Sequence, residues 1–444
     1  MNILAKFLTC LFDAWNVADI RYLILRNYEE LPEFTGNDID ILIDPVQRKT
    51  AERLLQKAAS EKGWRIHNIG EFSCRAFYLF NPETLEQVHI DLMCGDKWYS
   101  FFFVDHDLML NARQPFKNFY KPDPVHEASV NLMTRLIYGG YVKEKYREGI
   151  RQSALGVREG MVEALAPWLG AKLAEGIVVK AGDGDWEAIE AQVSKVRKRV
   201  LLANLKHPVG LASSILSDVF RFVRRLLSSP GISIVFFGPD GCGKTSVADG
   251  LKLKLQKTFY QERSIHCHWK PIRPKNEGIA PTVDPHRQSP RNRVLSLIYF
   301  GWHYWPFVWG WWVHVRPVLF KCGLVIVDRY YYDFFVDLRR YRLNLPQWIV
   351  KLGFVFVKKP DLVFCLDAGP EILQARKAEV SFDECRRQRE AYRALAEKLS
   401  IGHVIDASQP LDDVVHDVQS IVLEYMAERT AKRMRKRVLP QENA

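Results

Sequence analysis

Unbroken apolar runs mark the second half of the chain. Residues 232–237, 324–327 and 362–366 are continuous stretches of this kind, as strands covered on both faces require. A helical pattern starts at Lys244, and a weaker strand signal at 404–405 precedes a helix expected over 411–429. This alternation of β and α signals predicts an α/β domain built on a doubly wound parallel sheet. The first part reads differently. Short β-rich runs at 22–25, 39–43, 76–80 and 88–92 alternate with turn signals, with one helix-like stretch over 46–62, which predicts an α+β domain. Residues 1–15 carry one lysine and an apolar run broken by Asp13. They read as an amphipathic first helix rather than a signal peptide. From Pro124 to Leu227 the pattern is helical, and it breaks at Ser228-Ser229-Pro230-Gly231. The expected organisation is an N-terminal α+β domain at 1–123, a helical connector at 124–229, the parallel-sheet domain at 230–430 and a basic tail at 431–444.

Composition fits this picture. A chain of 444 residues exceeds one ordinary core, and 48% apolar with 26% charged residues is the balance of a folded, water-soluble protein. The net charge of +11 favours anionic partners, such as nucleotides, phosphorylated sugars, nucleic acid or a membrane surface. No specific nucleic-acid partner is expected. The eight cysteines form no C-x-x-C pair, which excludes a zinc ribbon, a thioredoxin-like motif and a disulfide-stapled secreted module, and points to the cytoplasm. His266-Cys267-His268 is not read as a metal site, because neighbours on a strand face opposite ways.

Chemistry enters with Gly238-Pro239-Asp240-Gly241-Cys242-Gly243-Lys244-Thr245, which fits G-x-x-x-x-G-K-[ST]. Backbone N–H groups converge on a phosphate only where glycine lets the chain turn tightly. The helix that follows aims its positive end at the same anion. Gly238, Asp240, Gly241, Cys242, Gly243, Lys244, Thr245 and Ser246 are therefore the candidate ATP-binding residues. Lys244 is expected at the β- and γ-phosphates and Thr245 at Mg2+. Asp328, closing an apolar strand, is the second candidate magnesium ligand, and Arg329 is placed to grip a phosphate in two parallel hydrogen bonds.

These residues resemble the thymidylate kinase family of nucleoside monophosphate kinases. The matching pieces are the loop with Asp240 in its third place, Asp328-Arg329-Tyr330, the run from Pro360 to Asp367, and an arginine-rich helical stretch from Arg376 to Arg393. The resemblance covers about 231–425. It implies a P-loop kinase fold, ATP as donor and an anionic acceptor. It also implies that Asp240 touches the acceptor's sugar hydroxyl, that Arg329 holds its phosphate, and that Arg376, Arg386, Arg387 or Arg389 closes over the transferred group. Three departures stand out. Phe237 replaces the family's glutamate, Tyr331-Tyr332-Asp333 replaces residues that help read thymine, and 286–312 has no counterpart in housekeeping enzymes. The stretch from Asp328 to Arg342 is similar instead to divergent thymidylate kinase-like proteins of bacterial surface-polysaccharide loci. The acceptor expected is a nucleotide or sugar-type anion, or a glycan.

A second constellation lies near the N-terminus. In Asn37-Asp38-Ile39-Asp40-Ile41 two carboxylates share one strand face, and Asp91 sits in another strand run. Three clustered carboxylates are what paired magnesium ions need to clamp a triphosphate. Residues 20–120 resemble the minimal nucleotidyltransferase superfamily, with Arg26-Asn27 where its members have Gly-Ser. A surface role for these aspartates and a non-catalytic version of that fold stay open.

Finally, 294–315 contains no Lys, Arg, Asp or Glu and holds Trp302, Trp305, Trp309, Trp311 and Trp312. Both of its ends must return to one sheet, so a buried or homodimer-interface helix is preferred to a membrane span. Peripheral contact of 302–312 with the inner membrane is the other reading, since tryptophan favours that boundary. The leading functional expectation is an ATP-dependent phosphotransferase in bacterial polysaccharide biosynthesis. Its rivals are a genuine thymidylate kinase, a nucleotidyltransferase, and an ATP-gated binding protein without transfer activity.

Overall fold

The computed structural model describes residues 1–36, 38–95, 97–272, 289–377 and 380–438. Asn37 of the N-terminal motif, residues 286–288 of the divergent stretch and the tail beyond 438 lie outside the described residues. The chain splits into two compact units, Met1–Arg224 and Arg225–Ala444.

In the first unit, α1 (Ile3–Val17) starts at an Asn2 cap whose side chain accepts from the Ala5 N–H at 2.7 Å. It buries Phe7, Leu11 and Trp15. The strands β1 (Tyr22–Ile24), β2 (Ile39–Ile43), β3 (Arg65–Glu71), β4 (Arg75–Phe80) and β5 (Gln87–Met93), with α2 (Arg48–Glu61) between β2 and β3, form one mixed sheet in the order β1-β2-β5-β4-β3. β2 and β5 are parallel and set Asp40 beside Asp91, while the other pairings are antiparallel. α1 and α2 share a core with Ile41, Ile43, Phe77 and Ile90 of the sheet. Two small hairpins follow, β6 (Lys97–Trp98) with β7 (Phe101–Phe102) and β8 (Gln114–Phe116) with β9 (Phe119–Lys121), and α3 (His106–Asn111) lies between them.

The helical stretch comprises α4 (Pro124–Thr134), α5 (Glu144–Gly156), α6 (Arg158–Leu169), α7 (Ala171–Asp183), α8 (Trp186–Glu190), α9 (Val193–Leu205) and α10 (Pro208–Leu227). Leu136, Leu165, Ile177 and Val196 from it join one core with Leu23, Leu25 and Leu42 of β1 and β2 and their flanks. The helices up to α9 thus pack on the small sheet.

The second unit is the parallel sheet. β10 (Ile232–Phe237), β11 (Ile265–His268), β12 (Leu324–Asp328), β13 (Leu362–Asp367) and β14 (Gly402–Asp406) are all parallel, in the order β11-β12-β10-β13-β14. Every residue of β10, β12 and β13 is buried, which accounts for their unbroken apolar character. β10 lies between β12 and β13, so the loop at its carboxyl end opens where the strand order reverses, the place where such sheets bind ligands. The helices are α11 (Lys244–Lys254), α12 (Arg293–Gly310), α13 (Arg316–Phe320), α14 (Asp333–Val336), α15 (Gln347–Phe354), α16 (Pro370–Arg376), α17 (Phe382–Lys398) and α18 (Leu411–Val438). The last runs past the expected end at 429. α12 and the π-helical turn Trp311–Val315 bury Phe300, Phe307, Trp311 and Val315, while Trp302, Trp305 and Trp312 are exposed. No helix among the described residues is long and apolar enough to cross a membrane.

Candidate active site

The loop between β10 and α11 turns on three glycines in the left-handed half of backbone space, Gly238 at φ 145°, Gly241 at 85° and Gly243 at 89°. A side chain is excluded at two of them by backbone atoms. A Cβ on Gly238 would lie 2.7 Å from the Leu366 carbonyl oxygen, and one on Gly241 2.9 Å from that of Leu373. The loop is therefore wrapped closely over β13 and α16. Lys244 is buried, and its ammonium donates to the carbonyls of Gly238 at 3.0 Å and Pro239 at 2.9 Å. Those bonds hold the charge across its own loop.

A cleft of about 950 Å3 opens beside this loop. Asp240, Gly241, Cys242, Gly243, Lys244, Thr245 and Ser246 line it together with Asp328, Arg329 and Arg376. Asp328 ends β12 and is almost wholly buried. Burial alone would raise its pKa. A hydrogen bond from His266 at 3.0 Å and the approach of His268 to 3.7 Å, with the Lys244 charge, outweigh burial and hold the carboxyl below the usual carboxylate range. Both flanking histidines of the 266–268 stretch turn toward one aspartate, as residues two apart on a strand share a face. An ionised Asp328 and the exposed hydroxyl of Thr245 in one cleft are a hard-oxygen donor set suited to Mg2+.

Arg329 adopts a positive φ of 61° and is buried. Its guanidinium hydrogen-bonds to Asp240, and Arg340 donates to the other oxygen of the same carboxylate at 2.7 Å. Asp240 is thus held in a fork between two arginines. Desolvation would lower the Arg329 pKa, but Asp333 and Asp240 raise it above its ordinary value. The sequence reading missed Arg340. It lies in the stretch from Asp328 to Arg342, where only the double arginine at 339 and 340 hints at it. Tyr341 beside it stacks flat on Trp269, with ring centres 4.4 Å apart and planes at 12°, and both rings line the cleft. Lys270, also lining the cleft, donates to His303 Nδ1 at 3.0 Å. Burial and the nearby Lys270 charge lower the His303 pKa to about 4, so that ring is neutral at pH 7.

The arginines of the expected lid separate. Arg376 lines the cleft and donates to the Ala407 carbonyl at 3.0 Å. Arg387 pairs with Glu384 at 2.6 Å and bonds the Val336 carbonyl, Arg389 forks onto Asp367 at 2.6 and 3.0 Å, and Arg386 lies 3.9 Å from Glu390. None of these three lines the cleft. The departures after Tyr330 lie in the core. Tyr331 bonds the Val350 carbonyl at 2.8 Å, and buried Asp333 accepts from Tyr341 and Tyr392. Phe237 stacks on Tyr392.

In the first unit, carboxylate oxygens of Asp38, Asp40 and Asp91 all lie within 4.8 Å of one another. Parallel pairing of β2 with β5 brings the last two together. Arg26, from the turn after β1, bonds Asp40 at 2.5 Å, and His89 Nε2 lies 2.8 Å from Asp91. Burial raises the Asp40 pKa against the pull of Arg26. Three oxygen donors this close suit a divalent cation, with the Arg26 guanidinium already balancing part of their charge.

No protein-family model matches the chain. It is 29% identical over 212 residues to a probable thymidylate kinase of Thermococcus gammatolerans, a stretch covering 43% of this chain and 96% of that protein. It is 26% identical over 216 residues to the thymidylate kinase of Leuconostoc mesenteroides, covering 45% of this chain and 98% of that one. Among solved structures, thymidylate kinase of Ehrlichia chaffeensis aligns at 17% identity and a TM-score of 0.32, over 44% of this chain and 100% of that one. More than half of the chain lies outside these similarities. Sequence similarity and the cleft agree on a thymidylate kinase-like P-loop domain.

Proposed function

We propose that the second unit is an ATP-dependent phosphotransferase acting on a phosphate-bearing nucleotide or sugar-type acceptor in bacterial polysaccharide assembly. The observation that carries this reading is the fork of Arg329 and Arg340 on Asp240, in the same cleft as the glycine loop, Lys244 and Asp328. The loop's backbone N–H groups and the start of α11 bind the donor phosphates. Lys244 leaves its own carbonyls to meet the transferred phosphoryl group. Mg2+, held by Thr245 and Asp328, would neutralise charge developing on the donor. Arg329 and Arg340 exchange part of their grip on Asp240 for the acceptor's phosphate, where a planar guanidinium offers two parallel donors. Asp240, so released, accepts from an acceptor hydroxyl. Arg376, at the rim, stabilises charge on the phosphoryl group in flight. The stacked Trp269 and Tyr341 give the acceptor an apolar wall. The polysaccharide assignment rests on the resemblance of residues 328–342 to proteins of such loci. The test is ADP formation that depends on the acceptor, across monophosphates and phosphosugars.

A second activity is supported by the three carboxylates of the first unit, which fit nucleotidyl transfer once Arg26 swings from Asp40. Replacing both Asp38 and Asp40 by Asn should remove any pyrophosphate release from nucleoside triphosphates while ADP formation persists. Unchanged pyrophosphate release would exclude this site.

A further inference from the structure

The first unit contains a cavity that neither reading above uses. It measures about 170 Å3 and is lined by Arg48, Arg75, Lys97, Arg221 and Arg224, with Cys74 and Cys94 in its wall. Three carboxylates answer these five cations. Glu52 pairs with Arg75 at 2.8 Å and Arg48 at 3.5 Å, Glu71 with Arg224 at 2.9 Å, and Asp218 with Arg221 at 2.5 Å. Of these carboxylates only Glu71 lines the cavity itself, against the five cations.

Lys97 concentrates that excess. Its ammonium donates to the Ser214 hydroxyl at 2.9 Å and lies 4.6 Å from the centre of the Phe102 ring. Burial, then the charge of Arg221, push its pKa below the ordinary lysine value. The Nε donors of Arg75 and Arg221 are buried with no hydrogen-bond partner. Native interiors rarely leave donors unpaired or gather like charges without a compensating anion. We propose that this cavity binds the phosphate group of a small ligand carrying two or more negative charges. Turning part of their grip from Glu52 and Asp218, the Arg75 and Arg221 guanidiniums suit a tetrahedral oxyanion, and Lys97 supplies a further point charge. The site borders the carboxylate cluster, because burial and then the charges of Asp91 and Asp40 raise the pKa of the Cys74 thiol in its wall.

Half-buried Cys94 gives a readout local to the cavity. Its alkylation by iodoacetamide is followed by peptide mass spectrometry on the full chain carrying Lys244→Ala, at constant ionic strength. Pyrophosphate should slow modification of Cys94 by about 5-fold or more at saturation, by mass action, and leave Cys10 unaffected. A hexose 1-phosphate protecting at lower concentration than pyrophosphate would identify a sugar phosphate as the source of the group, and the reverse order an inorganic one. Lys97→Gln should lose the protection and Lys97→Arg retain it. Arg224→Gln, at the more exposed rim, serves as the second variant and should weaken protection with an unchanged melting temperature. Protection no greater than that given by chloride, or protection undiminished in both Lys97→Gln and Arg224→Gln, overturns the proposal. Neither result depends on whether the second unit transfers phosphate.

Discussion

At the scale of single residues, the cleft divides into groups that spacing announces and groups that only folding assembles. Lys244, Thr245 and Asp328 were legible because a phosphate loop needs its glycines at fixed intervals, and because a carboxylate closing a buried strand faces the sheet's carboxyl edge. Arg340 was not, since nothing in a linear pattern says that this arginine folds back onto Asp240. Lysine at position 329 or 340 keeps the charge but loses the fork. Each of Arg329→Lys and Arg340→Lys should therefore lower acceptor use by about 10-fold or more, the scale of one charge-assisted hydrogen bond. Steady-state kinetics should place the loss on the acceptor with ATP binding unchanged, and an equal loss on ATP would contradict the assignment. His303 offers a test in pH. Its folded pKa of about 4 lies below the ordinary 6.5. Between those values the unfolded chain takes up a proton that the folded chain refuses, so stability falls as pH drops through that window. His303→Gln should flatten the decline in melting temperature from pH 6.5 to 4. Equal slopes for the two proteins would show that this ring does not contribute.

At the scale of elements, β10, β12 and β13 of the second sheet were legible because each is buried on both faces and so carries no alternation. β3 was not. Its sequence, RIHNIGE, is half polar, buries His67 and Asn68, and shifts register between Ile66 and Asn68, so neither period nor composition marks it. The turn from β10 into α11 depends on backbone that only glycine adopts freely. Gly241→Ala would put a Cβ against the Leu373 carbonyl oxygen at a φ of 85°, costing about 1–3 kcal/mol of local strain. Because the loop can relax only by opening away from α16, ATP affinity should fall by about 10-fold, while α11 and the sheet remain intact. Calorimetric titration with ATP, alongside the far-ultraviolet circular dichroism spectrum, checks both halves of that expectation. Wild-type affinity would mean that the loop binds nucleotide in another shape.

At the scale of the whole molecule, the chain joins a thymidylate kinase-like P-loop domain to a unit with its own carboxylate cluster, and the two sites share no residues. The α/β character of the second unit and the α+β character of the first were both readable. That the helices α4 to α9 share a core with β1 and β2 was not, because their amphipathic faces do not say which surface they cover. Tyr331, Tyr332 and Asp333 after Tyr330 are buried. Under the proposed function they are not offered to a thymine base, and selectivity built on such groups collapses without them. The most direct measurement is ATP turnover with thymidylate set against other monophosphates and phosphosugars, for the wild type and Lys244→Ala. The account predicts ADP formation driven by an acceptor other than thymidylate, nearly abolished in Lys244→Ala with the fold unchanged. Thymidylate as the best acceptor at micromolar concentration, or wild-type turnover in Lys244→Ala, would contradict it.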